Sequence, residues 1–394
     1  MHELVAVDLR PGKAFIETLA RAWEAGDAVL PLQQEAPLSY RRGVAESLGA
    51  TRWVDSSGEQ TLPGGWPVGQ GDALVVATSG TTGHPKGAVL THDAVSSAAF
   101  ATSTALGVAP DVHWLCCLPL SHVAGLSIIT RSWQTGAGLT VHDGLDPAAV
   151  DDAARSGATH VSLVPTALGR IDATLWRRIL LGGSAVPEDR PPNAVAGYGM
   201  TETYGGVVYD GLPLPGVELR IQDAGSRAPG ASGPIELRTA SLLRCYRDGS
   251  VPMDADGWYP TGDIGSVDPA DGRLSVEGRG DDLIITGGEK VWPEPVEKRL
   301  ELHPDIAEAG VYGRPDDEWG ARVCAWVVPA DAGVVPSLDE LRDWVRSTLP
   351  TSAAPKEVLA VASLPRTSLG KLRRSSLAVS VSDDDEKQGG ADGG

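Results

Sequence analysis

One stretch gathers groups suited to holding a phosphate chain: Thr78-Ser-Gly-Thr-Thr-Gly-His-Pro-Lys-Gly87. Thr78, Ser79, Thr81 and Thr82 supply hydroxyls. Gly80 and Gly83 let the backbone turn tightly and bring its N–H groups close to a ligand. Lys86 adds a positive charge, so the set matches the needs of a polyphosphate. The spacing is not that of a Walker loop, because Gly-Lys followed by Ser or Thr is absent. A plain Ser/Thr/Gly surface turn has a similar composition. What separates the two is context: the apolar run Ala73-Leu-Val-Val-Ala77 precedes the loop and reads as a buried parallel strand. No Gly-x-Ser-x-Gly elbow and no Ser/His/Asp arrangement of a hydrolase accompanies it.

Such a loop needs a rigid scaffold, and the chain supplies the pattern of one. Phe15–Trp23 spaces apolar groups at three and four, as an amphipathic helix does. Strand-like runs at Ala28–Leu32, Trp114–Leu120, His160–Val164 and Ile179–Leu181 alternate with helical stretches, one of them near His92–Leu106. Asp146-Pro147 is an N-cap followed by an N1 proline. This alternation predicts an α/β domain with largely parallel pairing. Short alternating runs between 206 and 280 predict an antiparallel β region. Gly278-Arg-Gly-Asp-Asp282 makes a hinge, and Ser337-Leu-Asp-Glu340 is a capping box ahead of an amphipathic helix. The expected fold class is therefore α/β. A large N-terminal domain over 1–280 carries mixed sheets and the antiparallel region, and a small mobile α+β domain spans 281–379. The acidic, Gly-rich stretch 380–394 is expected to be disordered.

Composition narrows the functions. The 394 residues carry a formal net charge of −19, which argues against a nucleic-acid-binding surface. No run of about 18 apolar residues occurs and Met1-His-Glu-Leu lacks a signal pattern, so a cytoplasmic chain without stable membrane insertion is expected. Cys116, Cys117, Cys245 and Cys324 show no metal-ligand spacing and read as reduced core residues.

The loop closely resembles the phosphate-binding signature of the adenylate-forming enzymes: acyl- and aryl-CoA ligases, luciferases and peptide-synthetase adenylation domains. Further stretches follow in that family's order from about residue 72 to 376. The resemblance implies that ATP, Mg2+ and the co-substrate CoA are used. Thr78, Ser79, Gly80, Thr81, Thr82, Gly83 and Lys86 would then hold the ATP phosphates. Gly182, Gly183 and Ser184, with Tyr198, Gly199 and Met200 of Tyr198-Gly-Met-Thr-Glu202, would wall the adenine site. An aromatic ring opposite a residue without a side chain suits a flat base. Thr201 would bond near the α-phosphate and Glu202 would be the Mg2+ ligand, a hard cation taking carboxylate oxygen. Asp263 of Thr261-Gly-Asp263 would accept from the ribose hydroxyls, with Arg279 opposite. Asp281 would be the interdomain hinge, and Gly287, Gly288 and Lys290 would border the path of CoA. Lys371 of Pro365-Arg-Thr-Ser-Leu-Gly-Lys371 would reach the α-phosphate and the acyl carboxylate, where negative charge builds in the transition state. His122 and Gly125 of Pro119-Leu-Ser-His-Val-Ala-Gly125 would line the acyl pocket. Two departures appear. The loop arrives earlier than in typical ligases, and the usual Gly-Glu β-motif stands here as Gly233-Pro-Ile-Glu236.

Within the family, the short N-terminus and the stretches 198–211 and 286–293 most resemble the o-succinylbenzoate–CoA ligases of bacterial menaquinone biosynthesis in their shorter actinobacterial form. That acid has a second carboxylate, which needs a cation or donors inside the pocket. Arg131, nine residues after His122 on the same apolar helix, is the candidate, with a solvent-reaching helix arginine as an equal alternative. Tyr204, Gly205 and Gly206 would shape the pocket floor. The implied reaction makes acyl-AMP first and the CoA thioester second, with small-molecule carboxylic acid, ATP and CoA as partners. Alternatives are another aryl- or acyl-CoA ligase, or a stand-alone adenylation enzyme that loads a carrier protein. A non-catalytic nucleotide binder would more readily have lost Lys371 or Glu202. Monomer and homodimer are both open.

Overall fold

A computed structural model describes residues 2–78, 85–222, 230–331, 335–366 and 372–379; the stretch 380–394 lies outside them. The chain divides into two compact units. The first comprises Met1–Arg220, Glu236–Thr261 and Val267–Leu274; the second comprises Ile221–Ile235, Gly262–Ser266 and Ser275–Gly394.

Two seven-stranded sheets build the first unit. In one, Leu4–Asp8 lies parallel between Ala28–Pro31 and Arg52–Asp55. Asp72–Thr78 is parallel to Ala28–Pro31 on one side and antiparallel to Lys86–Thr91 on the other. The strand before the glycine-rich stretch is thus buried, as its apolar run requires, but it is parallel on one side only. The few residues between it and Lys86 are too short for a crossover and suffice for a reversal. In the other sheet, Gly138–Val141, His113–Cys116, His160–Leu163, Arg178–Leu181 and Ala194–Met200 are all parallel. Gly205–Tyr209 and Leu212–Pro213 add an antiparallel edge.

Helices cover these sheets, and their ends follow local chemistry. Thr91 Oγ1 accepts from Ala94 N at 3.1 Å and starts His92–Ala105. Asp146 Oδ1 accepts from Ala149 N at 2.9 Å and starts Pro147–Arg155, with Pro147 at its first position. Val123–Thr135 ends at Gly136, whose φ of +70° is the left-handed cap that glycine adopts without strain. Val95, Ala98, Leu126, Ile128 and Ile129 pack with Trp114, Tyr204 and Tyr209 in the main core. The four cysteines are free and buried. Burial pushes the Cys116 and Cys117 thiols up to about 12, so neither is a nucleophile at neutral pH.

In the second unit, Ile306–Asp316 and Gly320–Pro329 form a long antiparallel pair, and Glu357–Ala360 joins the latter in parallel. Ser337 Oγ accepts from Glu340 N at 3.3 Å at the start of Leu338–Arg346, which buries Leu341 and Val345 against Val296, Leu300 and Val311. Among the described residues no helix is long and apolar enough to cross a membrane.

Candidate active site

Thr78 and Lys86 face each other at the ends of the antiparallel pair that borders the glycine-rich stretch, and Thr78 Oγ1 donates to Lys86 O at 3.3 Å. Ser79, Gly80, Thr81, Thr82 and Gly83 lie outside the described residues, as does Lys371. The Lys86 ammonium stands 5.4 Å from the centre of the Tyr246 ring, and the Tyr246 hydroxyl donates to Glu202 Oε1 at 2.9 Å. Lysine, phenol and carboxylate are therefore brought together from three distant segments.

Glu202 sits in the short turn Thr201–Thr203 after the strand Ala194–Met200. Buried Thr203 pins that turn. Its Oγ1 accepts from Met200 N at 3.0 Å and lies 2.7 Å from the Gly205 carbonyl. Among the described residues Glu202 Oε2 accepts nothing, so the carboxylate keeps a face for a cation. Among them too, no group of three or more His, Cys, Asp or Glu side chains could hold a metal ion. A cation at Glu202 would thus take its remaining ligands from phosphate oxygens and water, as Mg2+ commonly does.

Gly182 and Gly183 follow Arg178–Leu181 directly, and Tyr198 lies on the neighbouring parallel strand. Both lie toward the carboxyl ends of their strands, where open α/β sheets bind ligands. Gly183 has φ +88°, a conformation glycine takes freely. Ser184 is exposed and Tyr198 and Met200 are half-buried. Gly199 is a different case: a Cβ there would lie 1.9 Å from Gly205 O, so the close approach of two backbones demands glycine. A register shift between Tyr198 and Gly199 marks a bulge, which re-aims the residues beside it.

Arg131 lies on Val123–Thr135 with only 2 % of its surface exposed, so it does not reach solvent. Its Nε donates to Ser127 O at 2.8 Å and its Nη2 to Ser127 Oγ at 2.9 Å. The guanidinium lies 4.6 Å from the centre of the Trp114 ring. Among the described residues its buried Nη1 has no partner and no carboxylate pairs with the group. Burial accordingly lowers its pKa, opposed by Tyr209, Tyr204 and Cys116. An uncompensated buried charge costs several kcal/mol, and an orphaned donor of this kind calls for an acceptor. Tyr204 closes the same region with its hydroxyl 3.3 Å from Thr130 Oγ1 and with a left-handed φ of +53°. A bulky residue rarely adopts that conformation, and such outliers gather at functional sites. Gly205, at φ +114°, would place a Cβ 4.0 Å from Ser127 Oγ, against the same hydroxyl that Arg131 uses.

His122 is the N-cap residue of that helix, and burial lowers its pKa, with Glu35 opposing, so the neutral ring is favoured. Gly125 is required by packing: a Cβ would lie 2.5 Å from Pro119 O.

Taken by itself, the second unit holds the remaining residues. Asp263 Oδ1 is 3.3 Å from Arg279 Nη1, and a Cβ at Gly262 would meet the Arg279 guanidinium at 2.9 Å. Asp281 is exposed in the turn Gly280–Asp282. Gly287 and Gly288, at φ +59° and +83°, form the two-residue turn between Ile284–Thr286 and Glu289–Val291, where paired positive φ matches the twist of a hairpin. Lys290 is exposed on the second of these strands.

Two family models match the chain: AMP-binding enzyme over residues 17–247, and AMP-binding enzyme C-terminal domain over 295–371. A probable 2-succinylbenzoate–CoA ligase of Mycobacterium tuberculosis is 39% identical over 334 residues, covering 77% of this chain and 83% of that one. An indoleacetate–CoA ligase of Aromatoleum aromaticum is 35% identical over 344 residues, covering 77% and 66%. Among solved structures, the o-succinylbenzoate CoA synthetase (MenE) of Bacillus subtilis, in complex with the acyl-adenylate intermediate OSB-AMP, matches with a TM-score of 0.85. It is 28% identical, over 95% of this chain and 88% of that one. The same Bacillus protein in complex with ATP and magnesium ion gives a TM-score of 0.83.

Proposed function

The chain belongs to the AMP-binding enzymes, and from that premise we propose that it is the o-succinylbenzoate–CoA ligase of menaquinone biosynthesis. The observation that carries the choice of acid is Arg131: a buried guanidinium that, among the described residues, has an orphaned Nη1 and no carboxylate of its own. A dicarboxylic acid fills that vacancy with its second carboxylate while the first stays free to react. Charge-assisted bonds from a guanidinium to a carboxylate are among the stronger polar contacts available. Ser127 and Trp114 orient the group, and Gly205 leaves room beside it.

The substrate carboxylate attacks the α-phosphorus of Mg·ATP, the bond to pyrophosphate breaks, and acyl-AMP forms. The sulfur of CoA then attacks the acyl carbon, AMP leaves, and the thiol proton passes to solvent. Glu202 binds the cation that travels with the nucleotide, Lys86 and Lys371 offset phosphate charge, and Asp263 with Arg279 addresses the ribose. Tyr198, Gly182 and Gly183 bracket the base, and neutral His122 positions the acid without adding charge. Asp281 serves as the hinge between the two half-reactions, and the Gly287-Gly288 turn borders the CoA path. We place the enzyme in the cytoplasm, and sedimentation decides between monomer and homodimer.

The test is acid-dependent pyrophosphate release from Mg·ATP with o-succinylbenzoate, indole-3-acetate, benzoate and a medium-chain fatty acid, each with and without CoA. Strong turnover with o-succinylbenzoate plus CoA alone is expected. A preference for another acid keeps the ligase chemistry and discards this substrate. Acyl transfer to a carrier protein in place of CoA discards the acceptor.

A further inference from the structure

The strand that carries Tyr246 is two residues long, Cys245–Tyr246, at the edge of a seven-stranded sheet. A pair this short contributes little hold of its own, yet it is fastened from both sides. Before it, Arg244 makes a bidentate pair with Asp72, Nε to Oδ1 at 2.9 Å and Nη2 to Oδ2 at 2.8 Å. Asp72 is fully buried and also accepts from Gly69 N at 2.7 Å. After it, Arg247 donates to the carbonyls of Leu48 and Pro67, each at 2.9 Å, and of Trp66 at 2.5 Å. Leu243 N donates to Glu202 O at 2.7 Å, tying the approach to this strand to the backbone of the carboxylate residue itself. Cys245 and Tyr246 pair with Val89 and Ala88 of Lys86–Thr91, the strand that begins with Lys86.

All these ties converge on one side chain. The Tyr246 hydroxyl occupies Glu202 Oε1, while its ring face stands before the Lys86 ammonium. Glu202 and Lys86 make no ion pair with each other. A direct pair would cancel the two charges that a metal–nucleotide complex needs separately. A phenol between them answers both: it gives one carboxylate oxygen a donor and offers the cation a π face.

We propose that Tyr246 is a positioning residue for the metal–nucleotide complex. It holds Glu202 in the orientation that presents Oε2 to the cation, and it keeps Lys86 from pairing with that carboxylate. The proposal rests on the nucleotide site described above and adds Tyr246 to it, acting through Glu202 and Lys86.

The experiment is equilibrium binding of ATP to the full chain, in EDTA and across a Mg2+ titration, for the wild type and Tyr246→Phe. The substitution keeps the ring and removes only the hydroxyl. ATP affinity in EDTA should stay within about two-fold of wild type, while the Mg2+ concentration for half-maximal tightening should rise about ten-fold, as loss of a bond to a charged group predicts. Arg244→Lys, which loses the bidentate grip on Asp72, should move the Mg2+ requirement the same way by less. An unchanged Mg2+ requirement in Tyr246→Phe overturns the proposal, as does an equal loss of affinity with and without the metal. A wild type whose ATP affinity ignores Mg2+ removes the nucleotide reading beneath it and the proposal with it.

Discussion

Arg131 is fully buried and Arg374 partly so, one in each unit, and the fold treats them in opposite ways. Arg374 reaches two carboxylates: Nη1 lies 3.0 Å from Asp282 Oδ2 and Nη2 lies 2.6 Å from Glu297 Oε2. Burial works to lower its pKa, but Glu297 and Asp282 outweigh it and hold the group above its ordinary value. Arg131 has a serine, a backbone carbonyl and an indole ring, and burial prevails. The first is a closed internal brace. Among the described residues the second has no carboxylate beside it and its Nη1 is unpaired. The contrast separates a partly buried charge braced by two carboxylates from a fully buried one without them.

Substitutions at Arg374 and Arg131 test this contrast directly. Arg374→Leu should have the largest effect on stability. It leaves Glu297 and Asp282 without their cation, and breaking such a pair from one side costs about 3–5 kcal/mol, read as a drop in the urea midpoint of the second unit. Arg131→Leu should do the reverse. Replacing an unpaired buried charge with an apolar group is neutral or stabilising, so the ligand-free protein should melt no lower than wild type. Its kcat/KM for o-succinylbenzoate should fall about 100-fold, in line with losing one partner of a buried charge pair, while a monocarboxylic analogue loses far less. Equal melting losses in the two variants would erase the distinction.

The smallest effect concerns His160, whose ring meets Trp114 edge-on at 5.0 Å. Burial first, then Arg177, Arg178 and Arg131, lower its pKa to about 4. An unfolded histidine takes its proton near pH 6.5. Between about pH 6.5 and 4 the unfolded chain therefore binds a proton that the folded chain refuses, so stability is full above this window and falls as pH drops through it. Thermal melts from pH 7.5 to 4.5 should show that decline, and His160→Gln should flatten it. An identical slope in the variant would assign the acid sensitivity to other groups.

What was legible in the sequence follows how far apart the interacting groups lie. Asp146 and Ser337 cap helices through bonds that span three residues, so residue type and spacing were enough. The apolar run at Ala73–Ala77 marked a buried strand, but not that its second neighbour would be antiparallel. Arg131 was legible as a charge on an apolar helix, and a solvent-reaching side chain fitted that pattern equally well. Ser127, its orienting partner, stood one helical turn earlier and was within reach of an i, i+4 argument. Tyr246 had no local signal, since its partner Glu202 is 44 residues away. Gly125 was assigned to the acyl pocket by its motif, and the fold explains the glycine through close packing on Pro119.

The order of the motifs, the alternation of strands and helices, and the family whose chemistry those motifs serve can all be read along the chain. These properties depend on residue types and on spacings of a few positions. Packing in three dimensions sets which charges are buried, which of them are paired and, among the described residues, which Glu202 oxygen accepts no bond. Desolvation and pairing are set by whatever packs within a few ångströms, and at Arg131, Glu202 and Arg374 much of that comes from distant parts of the chain.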